Sequence, residues 1–305
     1  MRSGWRAALL ALWWIVGTPG AASAGQLRID FLDVGQGDAS LITSPSGKTV
    51  LIDGGPPESA ERLGARLARL RAPIDLVVLT HRHLDHLGGL EKVVATVGAR
   101  SYLDAPFPHP SREYARLMRL LAERGTKVRD AAPGRRIDLG GGATLTLLGP
   151  PEPPLHGTRS DVNANSVVLR VDYGAFSALF AGDAEAPTER WLLDRAAAGS
   201  GALRARVVKV AHHGSRYAST PRFVAAVSPE VAVVSAGAGN SYHHPAPSTV
   251  ARWKAAGARV FRTDLDGEVT VLSDGHTLRV ETERAAAQAT GARGQPPSPT
   301  VEEAR

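Results

Sequence analysis

The sequence contains no cysteine among its 305 residues. Disulfides, thiolate metal ligands and a thiol nucleophile are therefore excluded. Any metal this chain holds must be bound through His, Asp, Glu, Asn or water. Long apolar runs are also missing: the run 8–16 is short, well under the roughly 20 residues a membrane span needs. Repeats of fixed period are absent, which argues against a solenoid.

Apolar residues make up 43% of the chain, ordinary for a globular protein with a sizeable core. The formal charge of +6 permits an anionic partner without specifying one. Many arginines fall in Ala/Arg-rich helical stretches and read as solvated faces. Arg2 and Arg6 precede the run 8–16, and Ala22-Ser23-Ala24 follows it. A basic start, a short apolar segment and an Ala-x-Ala end describe a secretory signal peptide over 1–24, cleaved after Ala24, with a periplasmic or secreted mature chain. An uncleaved anchor is the alternative. With no cysteine after the site, a lipoprotein anchor is excluded. The end of the chain, 285–305, is rich in Ala, Gly, Pro and charge and reads as a disordered tail.

The most informative stretch is Thr80-His81-Arg82-His83-Leu84-Asp85-His86-Leu87-Gly88-Gly89. It follows an apolar run, 74–79, that reads as a buried strand. The cluster thus sits in a loop at a strand end, where chemistry is usually carried. His81 and His83 are alternate residues, so an extended backbone aims both the same way. Asp85 and His86 follow a bend and address a second position. Imidazole with carboxylate suits zinc, with manganese or iron as further options. Gly88 and Gly89 let the chain turn into the next helix.

His-x-His-x-Asp-His after a strand resembles the signature of the metallo-β-lactamase-fold hydrolases. Asp53-Gly54-Gly55 at an earlier strand end matches that family's orienting aspartate. Asp33-Val34-Gly35-Gln36-Gly37-Asp38 resembles the opening of the hydrolase domain of ComEC-type DNA-uptake proteins, in free-standing form. The resemblance implies an α/β fold, the four-layer αββα sandwich of two mixed sheets with helices outside, over 25–284. Strand and helix signals in two halves, before and after about Gly149, fit that architecture.

The resemblance also implies roles. Asp53 would support the metal loop, and Gln36 and Asp38 would lie near the metal mouth; simple turn chemistry is the plain alternative for the latter pair. Asp183, in Gly182-Asp183 after a strand, would bridge two metals; a helix N-cap is the alternative. Of His212 and His213, which follow another strand, one would be the last ligand of the second metal. His212 is favoured there, with His213 as a substrate-facing acid or the alternative ligand. His244 before Pro245 would contact phosphate or transfer a proton. The run 149–165 reads as a loop, and it lacks the histidine that in most relatives completes the first metal. His156 is too far upstream, so Asp161 or Asn163 would supply an oxygen or bind substrate. His109, among prolines, reads as a surface residue.

A site of this kind implies two divalent ions, zinc or manganese, held by His81, His83, Asp85, His86, Asp183 and His212. Such ions bring a bridging water to a pKa of about 7, and the hydroxide attacks phosphorus or carbon. Asp85 would orient it, and His213 or His244 would protonate the leaving group. The leading expectation is an exported phosphodiesterase or nuclease for an anionic substrate such as single-stranded DNA, with a separate membrane protein as the channel in any uptake role. A hydrolase of a carbonyl substrate (β-lactam, lactone or thioester) and a non-catalytic metal- or DNA-binding protein are the alternatives.

Overall fold

The computed structural model describes residues 25–291, with side chains through 287. The signal-peptide expectation and 292–305 lie outside the described residues. Among the described residues, fifteen strands form two sheets. The first sheet takes β1 (Leu27–Phe31), β2 (Ser40–Thr43), β3 (Thr49–Ile52), β4 (Leu76–Leu79), β5 (Ser101–Asp104) and β6 (Lys127–Asp130). It also takes the late strands β14 (Val269–Ser273) and β15 (Arg279–Thr282), in the order β15-β14-β1-β2-β3-β4-β5-β6. The second runs β13-β12-β11-β10-β9-β8-β7. Its members are β7 (Arg136–Gly140), β8 (Ala143–Leu147), β9 (Leu169–Tyr173), β10 (Phe176–Phe180), β11 (Val207–Lys209), β12 (Val231–Val234) and β13 (Arg259–Arg262). Both sheets are mixed, with β3 to β6 parallel in one and β10 to β13 parallel in the other.

The period of two in these strands sorts their side chains between layers. In β4, Leu76 and Val78 join the core between the sheets, while Val77 and Leu79 face the outer helices. In β12, Val231 and Val233 point between the sheets, and Ala232 and Val234 point outward. Phe31 of one sheet stacks on Phe180 of the other, ring centres 5.8 Å apart. Outside the first sheet lie α1 (Ala60–Leu67), α2 (Leu84–Leu87), α3 (Leu90–Thr96) and α4 (Arg112–Glu123), with Leu63, Leu67, Val93, Leu117 and Leu121 buried against it. After the turn α5 (Asp161–Ala164), the second sheet is covered by α6 (Ala186–Ala197), α7 (Pro221–Val227) and α8 (Pro247–Ala255). The short α9 (Thr263–Asp266) and the terminal α10 (Glu283–Gly291) complete the described elements. Three apolar layers between four layers of structure make the αββα sandwich.

Three expectations need correction. The halves divide between β6 and β7, not near Gly149, because β7 and β8 already pair within the second sheet. The proposed tail begins as helix: α10 runs through Gly291, as its alanines, strong helix formers, favour. The loop 149–165 contains α5, capped by the Ser160 side chain.

Between β11 and β12 the structure adds α7, which no expectation above includes. Its start is capped from a distance by Glu189 on α6, which accepts from the Ser219 and Thr220 amides at 2.5 and 2.8 Å. Glu189 is fully buried, and burial raises its carboxyl pKa. Glu189→Ala leaves those donors unpaired. An unsatisfied buried donor costs about 1–3 kcal/mol, so urea unfolding is expected to show a loss of about 3 kcal/mol. A loss under about 1 kcal/mol would show that water caps α7 instead.

Candidate metal centre

The ends of β1, β3, β4, β10, β11 and β12 gather their loops at one edge of the sandwich. Asp53, after β3, is buried and adopts a left-handed backbone with φ 61°. Its Oδ1 accepts from the Thr80 amide at 2.7 Å, and its Oδ2 accepts from the Thr80 hydroxyl and from His86 Nδ1, both at 2.8 Å. Glycines let this loop close. A Cβ on Gly89 would stand 2.1 Å from the Gly54 carbonyl oxygen. Gly89 has an ordinary helical φ of −88°, so close backbone approach, not a special turn, requires glycine there. Arg82 points away from the cluster and pairs with Asp104 at 3.0 Å.

Asp183 is the hub. Gly182 before it has φ 52°, and a Cβ there would come within 2.9 Å of Thr80 Cβ. Asp183 Oδ1 lies 3.3 Å from His86 Nε2 and 3.9 Å from His213 Nε2. Its Oδ2 lies 3.7 Å from His81 Nε2 and 3.6 Å from His212 Nε2. His83 joins the second group through Nδ1, 3.1 Å from His81 Nε2. Asp85 Oδ2 joins the first, 3.1 Å from His213 Nε2. Asp85, His86, Asp183 and His213 offer ligand atoms within 4.8 Å of one another.

The outer nitrogens are anchored. His212 Nδ1 is 3.0 Å from Glu185 Oε1, and His81 Nδ1 is 3.1 Å from the Thr80 hydroxyl. The Thr80 proton goes to Asp53, so His81 Nδ1–H donates and its Nε2 presents a lone pair. His213 Nδ1 is 3.1 Å from the Ser235 carbonyl and 3.2 Å from Asp38 Oδ1. Such outer partners fix tautomer and aim in metal-binding histidines. His86 Nε2 and Asp183 Oδ1 are buried without a hydrogen-bond partner, although they face each other. Lone pairs converging in a buried space fit a cation, and the donor set is suitable for a metal ion. Asp38, Asp53 and His86 also approach one another. Asp38 is already neutralised by Lys209 Nζ at 2.7 Å and Asp53 accepts three hydrogen bonds, so these carboxylates serve as supports.

Several expected site residues stand elsewhere. His213, expected as an acid or as the alternative ligand, stands in the second of these positions: it is buried, and its nitrogens meet Ser235 and Asp38 on one side and Asp85 and Asp183 on the other. His212 is on the His81 side of Asp183, where the sequence shows no separate histidine loop. Gln36 Oε1 accepts from the Gly237 amide at 3.1 Å, which ties two loops together, and Asp38 is buried against Lys209 and His213 behind the cluster. Asp161 spends both oxygens on its own loop, accepting from Gly157 and Thr158. Asn163 is buried with Oδ1 unpaired. His244 lies at the rim, its ring 5.5 Å from that of His212. His109 is nearer the centre than expected, 5.5 Å ring to ring from His83. Lys209 and Glu185 were not anticipated. Lys209 alone had a visible signal, a lysine in an otherwise apolar buried strand.

A family model of the metallo-beta-lactamase superfamily matches residues 32–238. The chain belongs to that superfamily. Among curated relatives, "ComE operon protein 3" of Bacillus subtilis (strain 168) is 27% identical over 275 residues, 82% of this chain and 33% of the relative. "Competence protein ComA" of Neisseria gonorrhoeae is 30% identical over 264 residues, 86% of this chain and 34% of the relative. The chain therefore spans about a third of the length of these relatives. The metallo-β-lactamase-fold protein YhfI from Bacillus subtilis superposes with a TM-score of 0.52 at 12% identity, over 84% of this chain and 100% of that one. The diiron β-hydroxylase CmlA from Streptomyces venezuelae gives 0.53 at 18% identity, over 87% and 55%. Both show the shared fold. This metallo-β-lactamase-fold chain thus has competence proteins among its relatives, as the Asp33–Asp38 run implies.

Charge in the site follows from these contacts. Burial holds His81 and His83 below the ordinary histidine pKa. Burial also opposes charge on His213, but Asp38 and Asp183 outweigh it and raise the pKa from 6.5 to about 10. In the same way Asp183 and Asp53 hold His86 well above its usual value. Chelated protein thus carries protons on His86 and His213 at neutral pH. The raised pKa of His213 stabilises that metal-free fold fully below pH 6.5, and the contribution is lost as pH rises through about 10. A metal ion must displace such protons. Calorimetry in buffers of different ionisation enthalpy is expected to show net proton release, with apparent affinity rising roughly tenfold per pH unit for each proton displaced. Affinity flat between neutral and alkaline pH would contradict this charge assignment.

Lys209 and Asp38 join the two sheets through a fully buried ion pair. Lys209→Met strands the carboxylate, a loss of about 3–5 kcal/mol. Asp38→Asn with Lys209→Met is expected to recover part of it. Additive losses in a double-mutant cycle, read by urea unfolding, would rule out the coupling.

Proposed function

We propose that this chain is a metal-dependent phosphodiesterase acting on DNA, with two divalent ions, zinc or manganese, on either side of Asp183. The observation that carries this reading is the division of that carboxylate: Oδ1 faces His86 and His213, and Oδ2 faces His81 and His212. Asp85, His86 and His213 would hold one ion, and His81, His83 and His212 the other, with Asp183 between. His212 thereby takes the place of the histidine missing from the loop before β9. A nitrogen- and carboxylate-rich set without thiolate suits either metal. Bound divalent ions supply an acidified water near neutral pH and a clamp on phosphoryl oxygens.

The chain's own groups complete the site. Asp85 is 34% exposed in its side chain, so it can accept a hydrogen bond from the attacking water and orient it; burial opposes its charge, but His86 and His213 outweigh it and hold the carboxyl below the usual carboxylate range, so it remains ionised. His244 is half-buried; burial and the neighbouring His213 and His212 lower its pKa to about 4. It is therefore neutral at physiological pH and suited to donating a hydrogen bond to a phosphoryl oxygen, more than to protonating a leaving group. The names of the relatives, competence proteins, support DNA as the substrate. The basic, apolar and Ala-x-Ala pattern of residues 1–24 supports an exported protein, and a role in DNA uptake would require a separate membrane channel; among the described residues no helix is long and apolar enough to cross a membrane.

The test uses the metal-loaded full chain with single-stranded DNA, bis(p-nitrophenyl) phosphate and nitrocefin. Metal-dependent cleavage of DNA and dye is expected. Asp183→Asn should lower both more than about 100-fold, beyond the 10–100-fold typical of losing an outer support. Metal analysis should fall from two ions per chain towards one in His212→Ala. Nitrocefin turnover without phosphodiester cleavage would replace this reading with a carbonyl hydrolase, and tight metal binding with no turnover would favour a binding protein.

A further inference from the structure

Few large apolar side chains are exposed among the described residues: Leu84, Val128, Tyr217, Tyr242 and Leu265. Three of them fall in the loops that carry the candidate ligands. Leu84 lies between His83 and Asp85, Tyr217 follows the His212–His213 turn, and Tyr242 precedes His244. Single exposed apolar residues are unremarkable, but a grouping around a site mouth marks a contact surface.

The two tyrosines are built into the site. Tyr242 is 67% exposed. Its ring lies over His244 at 5.8 Å with 26° between planes, and His244 in turn meets His212 edge-on at 5.5 Å. Tyr217 is 46% exposed. The Arg159 guanidinium sits 3.8 Å from its ring centre. Arg159 also grips Glu185, 2.9 Å away, and Glu185 holds His212 Nδ1. Both rings are therefore fixed in position relative to His212, and each is accompanied by a polar or cationic neighbour.

We propose that Tyr217 and Tyr242 form a stacking platform on which unpaired bases of a single-stranded nucleic acid lie while its backbone enters the metal centre. The proposal rests on the phosphodiesterase reading above and adds what selects the strand. Aromatic faces beside cationic groups hold bases of any sequence through their π-faces, with arginine adding cation–π attraction. Bases inside a duplex are already stacked and offer only their edges in the grooves. The platform thus favours single strands over duplex and has little sequence preference. Arg159 is already paired with Glu185, so what the two exposed rings lack is a planar partner for their faces, which an unpaired base supplies and an aliphatic peptide side chain does not.

The experiment measures binding of two nuclease-resistant phosphorothioate strands of equal length to the metal-loaded full chain, by fluorescence anisotropy. One is oligo(dT); the other is abasic, with the same backbone and no bases. Wild type is expected to prefer oligo(dT). Tyr242→Ala and Tyr217→Ala should each weaken oligo(dT) binding roughly 5- to 100-fold and leave the abasic strand unaffected. Tyr242→Phe and Tyr217→Phe should retain tight binding, since the ring face is kept. Equal wild-type affinity for the two strands, or alanine variants that lose both equally, would overturn the platform and leave the phosphodiesterase reading standing. Wild type that binds neither strand would overturn DNA as the substrate and the platform with it.

Discussion

The structure depends on one buried carboxylate shared between two groups of imidazoles. Asp183 comes from the second sheet, at the end of β10, while His81 and His86 come from the first, at the end of β4. Their atoms meet only if the sheets are held at a fixed spacing and offset. The apolar layer between them, with Phe31 against Phe180, sets the spacing. The Lys209–Asp38 pair, one partner from each sheet, sits at the edge nearest the chemistry. Apolar burial is non-directional, so the layer alone fixes distance better than register. A buried ion pair and backbone contacts such as Gly89 against Gly54 supply the direction.

A supporting shell translates that register into aim. Glu185 acts on His212, Asp53 on His86, Asp38 and Ser235 on His213, and the Thr80 hydroxyl on His81. Each leaves the inner nitrogen facing the Asp183 carboxylate. The shell is itself supported: Arg159 holds Glu185, Lys209 holds Asp38, and the Thr80 amide and hydroxyl hold Asp53. Carboxylates buried this densely would repel one another without such cations and donors. The third layer of contacts is what makes the first two compatible with a folded protein.

Much of this was legible in the residues. Period-two runs bounded by glycine gave the strands, and histidine and aspartate after a strand gave the cluster around His81. Tertiary arrangement was less legible. β14 and β15 return to the first sheet, a choice made by pairing between residues more than two hundred apart, and local pattern carries no such information. The start of α7 has a local signal, Thr220 before Pro221, while the side chain that caps it, Glu189, lies on another helix and is not legible locally. Gln36 and Asp161 were misplaced for a related reason: polar residues beside glycines and turns look the same whether they serve substrate or backbone. Lys209 was the one visible anomaly, since a lysine in a buried strand demands a partner, but the sequence could not name Asp38.

The adjacent pair His212–His213 shows why a role cannot be assigned from neighbouring positions alone. On a strand, consecutive side chains point to opposite faces, and on a helix they diverge around the axis. Neither arrangement sends two adjacent imidazoles to the same carboxylate. Here both residues are left-handed, with φ of 49° and 51°, a region costly for residues with a Cβ. The chain curls so that His213 reaches Oδ1 of Asp183 and His212 reaches Oδ2. Strain of this kind persists only where the surroundings over-determine it, and Glu185, Asp38 and Ser235 do so. One strained turn thus brings nitrogen to both oxygens of Asp183. The loop before β9 contributes no histidine, yet both oxygens of Asp183 face imidazoles.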